Sequence, residues 1–264
     1  MTLERRTALV HLARKHDALV ISDDVYDSLQ WSVARSLDTQ DTHLSPIPVL
    51  PRLCDIDMAL GPSEHDPYHF GNTVSNGSFS KIVAPGMRSG WAEGTPAFVY
   101  GLSQTGTTRS GGSPSQFGAT LVCRLLKSGV LDSHLQATVV PNLQKRHAVL
   151  LQALGKYVAP LGVQYNRASE DSATYGGYFV WLSLPECLDS EVIAEYAKKK
   201  ENLIFGHGRM FEVSGDENSA LFRHHVRLSF SWEPEEAIID GVQRLGRAIK
   251  HHLVEVEGVS HESK

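Results

Sequence analysis

Between residues 3 and 16 the chain reads LERRTALVHLARKH, and Leu9, Leu12 and Ala13 recur at helical spacing with charges opposite, which predicts an amphipathic helix. It runs into Ala18-Leu19-Val20-Ile21, a continuous apolar run of the kind buried in a parallel sheet. From Asp38 to Gly71 the periodicity is lost: Pro46, Pro48, Pro51, Pro62 and Pro67 break regular elements and predict a long irregular insertion. Strands are expected over 73–78 and 88–94, a helix over 115–127, and a long helical pattern over 131–158 interrupted at Pro141. A strand at 178–184, a helix at 189–200, a strand at 226–231 and a last helix at 234–253 follow, with a polar, frayed end. Alternating helices and apolar strands give an α/β first part, and the second half reads as a small α+β domain.

Composition narrows the function classes. The 264 residues carry 25 Lys and Arg against 30 Asp and Glu, a formal charge of −5, so no nucleic-acid backbone is expected as a partner. The basic run Lys198-Lys199-Lys200 reads as a solvated helix end. Three separated cysteines encode neither a disulfide framework nor a zinc site, and the adjacent pairs His224-His225 and His251-His252 lack metal-ligand spacing, so no metal is expected. No apolar run approaches the roughly 20 residues of a membrane span, and the first residues lack a signal-peptide core. A cytoplasmic protein without membrane partners is the expectation.

Four segments at predicted strand ends carry chemistry. Ser22-Asp23-Asp24-Val25-Tyr26-Asp27 sets three carboxylates and a phenol after an apolar run; alone it reads as a solvated capping loop. In the segment from Ser75 to Trp91, Lys81 lies among small hydroxyl residues with Arg88 seven positions on, in a Pro-Gly turn. Two cations and several donors suit an anion such as a phosphate, and a partly desolvated lysine near another cation becomes a better nucleophile. Gly176-Gly177-Tyr178-Phe179-Val180-Trp181 opens an aromatic strand and alone reads as core packing. Arg227 leads an alternating strand, where a surface or ion-pair role is the ordinary one.

In order, Asp23-x-x-Tyr26, Ser78-x-Ser80-Lys81 with Pro85-Gly86-x-Arg88-x-Gly90-Trp91, Gly-Gly-x-Phe and Arg227-Leu-Ser-Phe-Ser resemble the class I/II aminotransferases, fold type I enzymes that use pyridoxal 5′-phosphate. The flanks are most similar to the 2-aminoadipate and kynurenine branch. The resemblance implies a partial large cofactor-binding domain with a mainly parallel sheet over residues 1–130, including the insertion at 38–71. A bridging helix with a small C-terminal domain over 131–255, and a tail over 256–264, complete the expected order. It also implies roles. Lys81 would link to the cofactor aldehyde and then move the proton at the substrate α-carbon. Asp23 would pair with the pyridine nitrogen, Tyr26 with the ring oxygen, and Ser78, Ser80 and Arg88 with the phosphate. Arg227 would clamp the substrate α-carboxylate, Tyr178 would line the substrate side, and Arg109-Ser110-Gly111-Gly112 resembles a loop that reaches a neighbouring subunit's site.

Members of this family carry, ahead of the Asp-x-x-Tyr segment, a glycine-rich phosphate loop, a ring-stacking aromatic and an Asn-Pro-x-Gly turn, and the resemblance begins after them. The expectation is a chain without that N-terminal portion, with an open strand edge and an exposed apolar face. The implied function is transfer of an amino group from a 2-aminoadipate or aromatic donor to a 2-oxo acid, 2-oxoglutarate first, in a full-length homodimer. The alternatives are a non-catalytic relic or binding partner of a full-length homologue, or a fold type I lyase.

Overall fold

The computed structural model describes residues 1–33, 50–110, 115–166, 174–215 and 221–262, with side chains to residue 255. The chain divides into two compact units, Met1–Val140 with Glu170–Gly177, and Pro141–Ser169 with Tyr178–Lys264.

In the first unit, α1 (Leu3–Lys15) is capped by the Thr2 hydroxyl, which accepts from the Arg5 N–H at 3.3 Å. The helix turns a different stripe inward from the one its apolar spacing suggests. Val10 and Ala13 are buried while Leu12 is 53% exposed. Two arginines on the inward side set that rotation: Arg6 donates to the Leu50 and Pro51 carbonyls, and Arg14 donates to Asp57.

The α1 helix leads to β1 (Val20–Asp23), which is followed by β2 (Gln30–Ser32), α2 (Leu53–Leu60), β3 (Thr73–Ser78) and β4 (Gly90–Glu93). β1 runs parallel to β3, with Val20 opposite Thr73 and Asp23 opposite Asn76, and β4 runs antiparallel on the far side of β3. The parallel pairing expected for the apolar run is present, but burial on both faces is not. Leu19 is 49% and Ile21 65% exposed, and β1 stands at the edge of the described three-stranded sheet.

Part of the expected irregular insertion, residues 38–49, lies outside the described residues, and the rest contains α2. Pro51 and Pro62 bracket this helix rather than break it, and the Asp55 carboxylate accepts the Arg52 N–H at 2.8 Å in its first turn. Asp57, 2% exposed, accepts from Arg14 Nε at 2.6 Å, from the Asn72 N–H at 2.6 Å and from the Thr73 N–H at 3.0 Å. One carboxylate thus ties α1 and α2 to the start of β3.

Beyond β4 come α3 (Pro96–Ser103), α4 (Gly106–Arg109), α5 (Gln116–Lys127) and α6 (Val130–His134). Pro141 does not interrupt the helical run there. Residues Leu135–Val139 form a π turn that leads into α7 (Val140–Tyr157). A proline lacks its own N–H and crowds the carbonyl four residues back, here that of Ala137, and a widened turn absorbs both effects.

The chain then makes β5 (Gln164–Tyr165), β6 (Thr174–Gly176), β7 (Phe179–Ser183), α8 (Ser190–Lys200), β8 (Gly206–His207), β9 (His225–Ser229) and α9 (Glu235–Glu262). β6 belongs to the first unit, paired antiparallel with β2. In the second unit β5-β7-β9-β8 form an antiparallel sheet whose Val180, Leu182 and Val226 are fully buried together with Leu154, Ile193 and Ile249. α8 starts at Asp189, whose side chain accepts the Glu191 N–H, and ends on the exposed run Lys198-Lys199-Lys200, favourable at a helix C-terminus. Where a frayed end was expected, the backbone stays helical to Glu262.

Candidate functional site

The register of β1 on β3 brings two strand ends side by side. Because side chains alternate along a strand, the adjacent Asp23 and Asp24 part company. Asp23 is exposed on the same face as Ile21 and accepts Asn76 Nδ2 at 3.1 Å. Asp24 turns the other way and takes hydroxyl donors from Ser22 at 2.7 Å and Ser75 at 2.6 Å. Asp27, one turn on, accepts from Gln30 at 3.0 Å, and burial raises its carboxyl above the usual range against the pull of Arg52. The three carboxylates are therefore three different groups, and Asp23 is the one presented to solvent at the strand end.

The turn between β3 and β4 holds the cations. The Ser80 N–H donates to Ser78 Oγ at 3.1 Å, and the Phe79 N–H donates to the Ser89 carbonyl at 3.1 Å, so the turn folds on its own donors. Lys81 Nζ stands 5.6 Å from the centre of the Tyr26 ring, which joins the second strand end to the first. Arg88 has a left-handed backbone, φ 48°, and its guanidinium donates to the Pro85 carbonyl at 3.0 Å. Close packing fixes this turn from below. A Cβ at Gly77 would stand 2.1 Å from the Trp91 indole, and one at Gly118 of α5 would stand 2.7 Å from the Met87 carbonyl.

Asp23, Tyr26 and Asp27 line an open cavity of about 260 Å³ together with Gln30 and Tyr175. Gly177, φ 82°, carries the chain past Tyr26, whose ring lies 3.4 Å from where a Cβ would be. Burial pushes the Tyr175 phenol up to about 12, so it stays a neutral hydrogen-bonding group. Of the residues singled out in the sequence, Asp23, Tyr26, Ser78, Ser80, Lys81 and Arg88 thus sit at adjoining strand ends of the first unit. Arg109 is exposed at the end of α4, and Gly111 and Gly112 lie outside the described residues.

Arg227 and Tyr178 belong to the second unit. The Tyr178 carbonyl accepts the Phe230 N–H at 3.1 Å, extending the β7–β9 pairing. The Arg227 guanidinium lies over two rings, 4.1 Å from the centre of Phe179 and 4.2 Å from that of Phe211. Sequence reasoning missed Asn76, Asp24 and Phe211. The register of a parallel pair reveals the first two, and no local pattern marks the third. Among the described residues no group of three or more His, Cys, Asp or Glu is placed to hold a metal ion, and no helix is long and apolar enough to cross a membrane.

No family model matches the chain. It is 38% identical over 257 residues to the uncharacterized protein YER152C of Saccharomyces cerevisiae, covering 96% of this chain and 53% of that protein. It is 27% identical over 253 residues to aromatic-amino-acid aminotransferase 1 of Thermococcus litoralis, covering 96% of this chain and 51% of the relative. The crystal structure of LysN, the alpha-aminoadipate aminotransferase of Thermus thermophilus complexed with N-(5′-phosphopyridoxyl)-L-leucine, superposes with a TM-score of 0.68 at 26% identity, over 96% of this chain and 55% of that one. The chain thus spans about half the length of the curated relatives it matches. By sequence and by α/β architecture it is related to the pyridoxal-phosphate-dependent aminotransferases of fold type I.

Proposed function

We propose that this chain supplies the lysine, ring-binding and carboxylate-binding residues of an aminotransferase that moves an amino group from an amino acid to a 2-oxo acid. One observation carries the reading: an amine, a phenol and an exposed carboxylate meet at adjoining strand ends, with a hydroxyl- and guanidinium-bearing turn between β3 and β4. That donor set fits pyridoxal 5′-phosphate. Ser78, Ser80 and Arg88 offer donors for a phosphate, Asp23 an acceptor for a protonated ring nitrogen, Tyr26 a donor for the ring oxygen, and Lys81 an amine for the aldehyde. When bound, the cofactor supplies an aldehyde to take up the amino group and an electron-withdrawing ring.

The protein's own work is positioning and proton transfer. The Tyr26 ring face holds the Lys81 ammonium in place and, once Lys81 is neutral, its Nζ serves as the base at the substrate α-carbon. Asn76 holds the Asp23 carboxylate toward the sheet's open face, where a charge-assisted bond contributes about 1.5–3 kcal/mol. Arg227, in the second unit, offers a guanidinium for the substrate α-carboxylate. A 2-aminoadipate or aromatic donor follows the names of the relatives, and 2-oxoglutarate as acceptor follows the family resemblance. The test is a donor panel with 2-oxoglutarate and pyridoxal 5′-phosphate: glutamate forms with wild type and not with Lys81→Ala. Glutamate formation unchanged in Lys81→Ala overturns the proposal.

A second reading, a chain that works only when paired with another polypeptide, is favoured by the edge position of β1 among the described strands and the exposure of Ile21. The native mass of the purified chain, with and without Ile21→Lys, tests it.

A further inference from the structure

Arg227 lies opposite Trp181 in the β7–β9 ladder, and Phe179 lies opposite Ser229, so Arg227, Phe179 and Trp181 share one face of the second unit's sheet. Phe211 comes to the same place from the segment after β8. It can do so because β8 has no side chain at Gly206, the register partner of Arg227; a Cβ there would stand 3.2 Å from Phe211 Cζ. Trp181 backs Phe211 edge-to-face at 5.4 Å between ring centres. The guanidinium carbon therefore lies over two aromatic rings, and among the described residues it makes no ion pair. Its remaining hydrogen-bonding capacity lies in its own plane, along the N–H edges. Arg227 and Phe179 also border a cavity of about 610 Å³ within this unit, with Ile204 and Trp232 on its wall.

We propose that Phe179 and Phe211 are positioning residues that clamp Arg227, so that its N–H edge meets a substrate carboxylate in a fixed plane. The inference rests on the assignment of Arg227 as the carboxylate-binding residue and adds what orients it. A free arginine loses rotamer freedom when it takes a bidentate carboxylate; a clamped one has lost that freedom already. The rings also keep water from the guanidinium, which strengthens the in-plane charge-assisted bonds.

The test uses the whole chain with 2-oxoglutarate as probe and two readouts: the dissociation constant, and the Arg227 Nε–H resonance, assigned through Arg227→Gln. Two rings stacked on a guanidinium shift that resonance upfield. Phe211→Leu and Phe179→Leu, which keep apolar bulk, are expected to move it downfield and to weaken binding about tenfold, while Phe211→Tyr restores both. A resonance that does not move in either leucine variant, or binding within twofold of wild type in both, overturns the clamp. If one leucine variant does not fold, the other and Phe211→Tyr carry the same decision. Binding unchanged in Arg227→Gln overturns the assignment of Arg227 itself, an outcome separate from an unmoved resonance.

Discussion

Replacing Asp57 by alanine removes the carboxylate on which α1, α2 and β3 converge. It accepts from Arg14 Nε at 2.6 Å and from two backbone amides at 2.6 and 3.0 Å, in a site where Asp57 is 2% exposed. Breaking a buried ion pair by deleting one partner costs about 3–5 kcal/mol, because the other charge and its neighbours stay buried without compensation. Arg14 keeps the Asp57 and Gly61 carbonyls as acceptors, at 2.6 and 2.7 Å, which places the expected loss near the lower end, about 3 kcal/mol. For a chain of this size that corresponds to a fall in Tm of roughly 6–12 °C. Urea unfolding followed by circular dichroism measures it, with Asp57→Asn, which keeps an acceptor but no charge, expected between the two. A loss under about 1 kcal/mol in Asp57→Ala would refute the reasoning, since it would mean that Asn72 and Thr73, the start of the strand leading to Ser78 and Lys81, are not held by this carboxylate.

Gly77→Ala places a Cβ 2.1 Å from the Trp91 indole, which packs on Phe79 at 4.7 Å; a loss of about 1–3 kcal/mol with a changed near-ultraviolet circular dichroism spectrum is expected, and an unaltered spectrum contradicts it. His147, buried beside Phe230, has its pKa pushed down to about 4 by burial. The unfolded chain takes up that proton near pH 6.5 and the folded chain only near 4, so stability is intact above 6.5 and falls as pH drops through that window, by up to about 3 kcal/mol. His147→Leu flattens this dependence, and equal slopes in variant and wild type argue against it. Arg88→Gly relieves a left-handed backbone at φ 48° and is expected to hold or raise stability by up to about 1 kcal/mol while weakening retention of pyridoxal 5′-phosphate, measured by equilibrium dialysis; unweakened retention would remove Arg88 from the phosphate site.

The elements with strong local signals were legible in the sequence. α5, α8 and β9 lie within a few residues of where periodicity and turn residues put them. Thr95-Pro96 is a helix start that went unread, although the Thr95 hydroxyl caps α3 by accepting the Phe98 N–H. The inward stripe of α1 was not legible, because Arg6 and Arg14 turn it through contacts more than forty residues away in the chain. Pro141 misled because a neighbouring π turn can absorb what a proline disrupts. At the site, residue types and flanks mark Lys81 and the family resemblance picks out Tyr26 and Asp23, but whether Asp23 or Asp24 faces outward depends on strand register, and Asn76 acquires a role only through its pairing across that register. Phe211 comes to Arg227 through the space left at Gly206, a three-dimensional fit with no local signature.

The central proposal is that Lys81, among the described lysines, is the one that carries the cofactor. Borohydride reduction of the chain after incubation with pyridoxal 5′-phosphate, followed by peptide mass mapping, tests it most directly. A phosphopyridoxyl group concentrated on the peptide containing Lys81, and not transferred to another lysine in Lys81→Ala, is the result expected. Label spread over exposed lysines such as Lys145 and Lys199, with Lys81 no more modified than they are, would contradict the account.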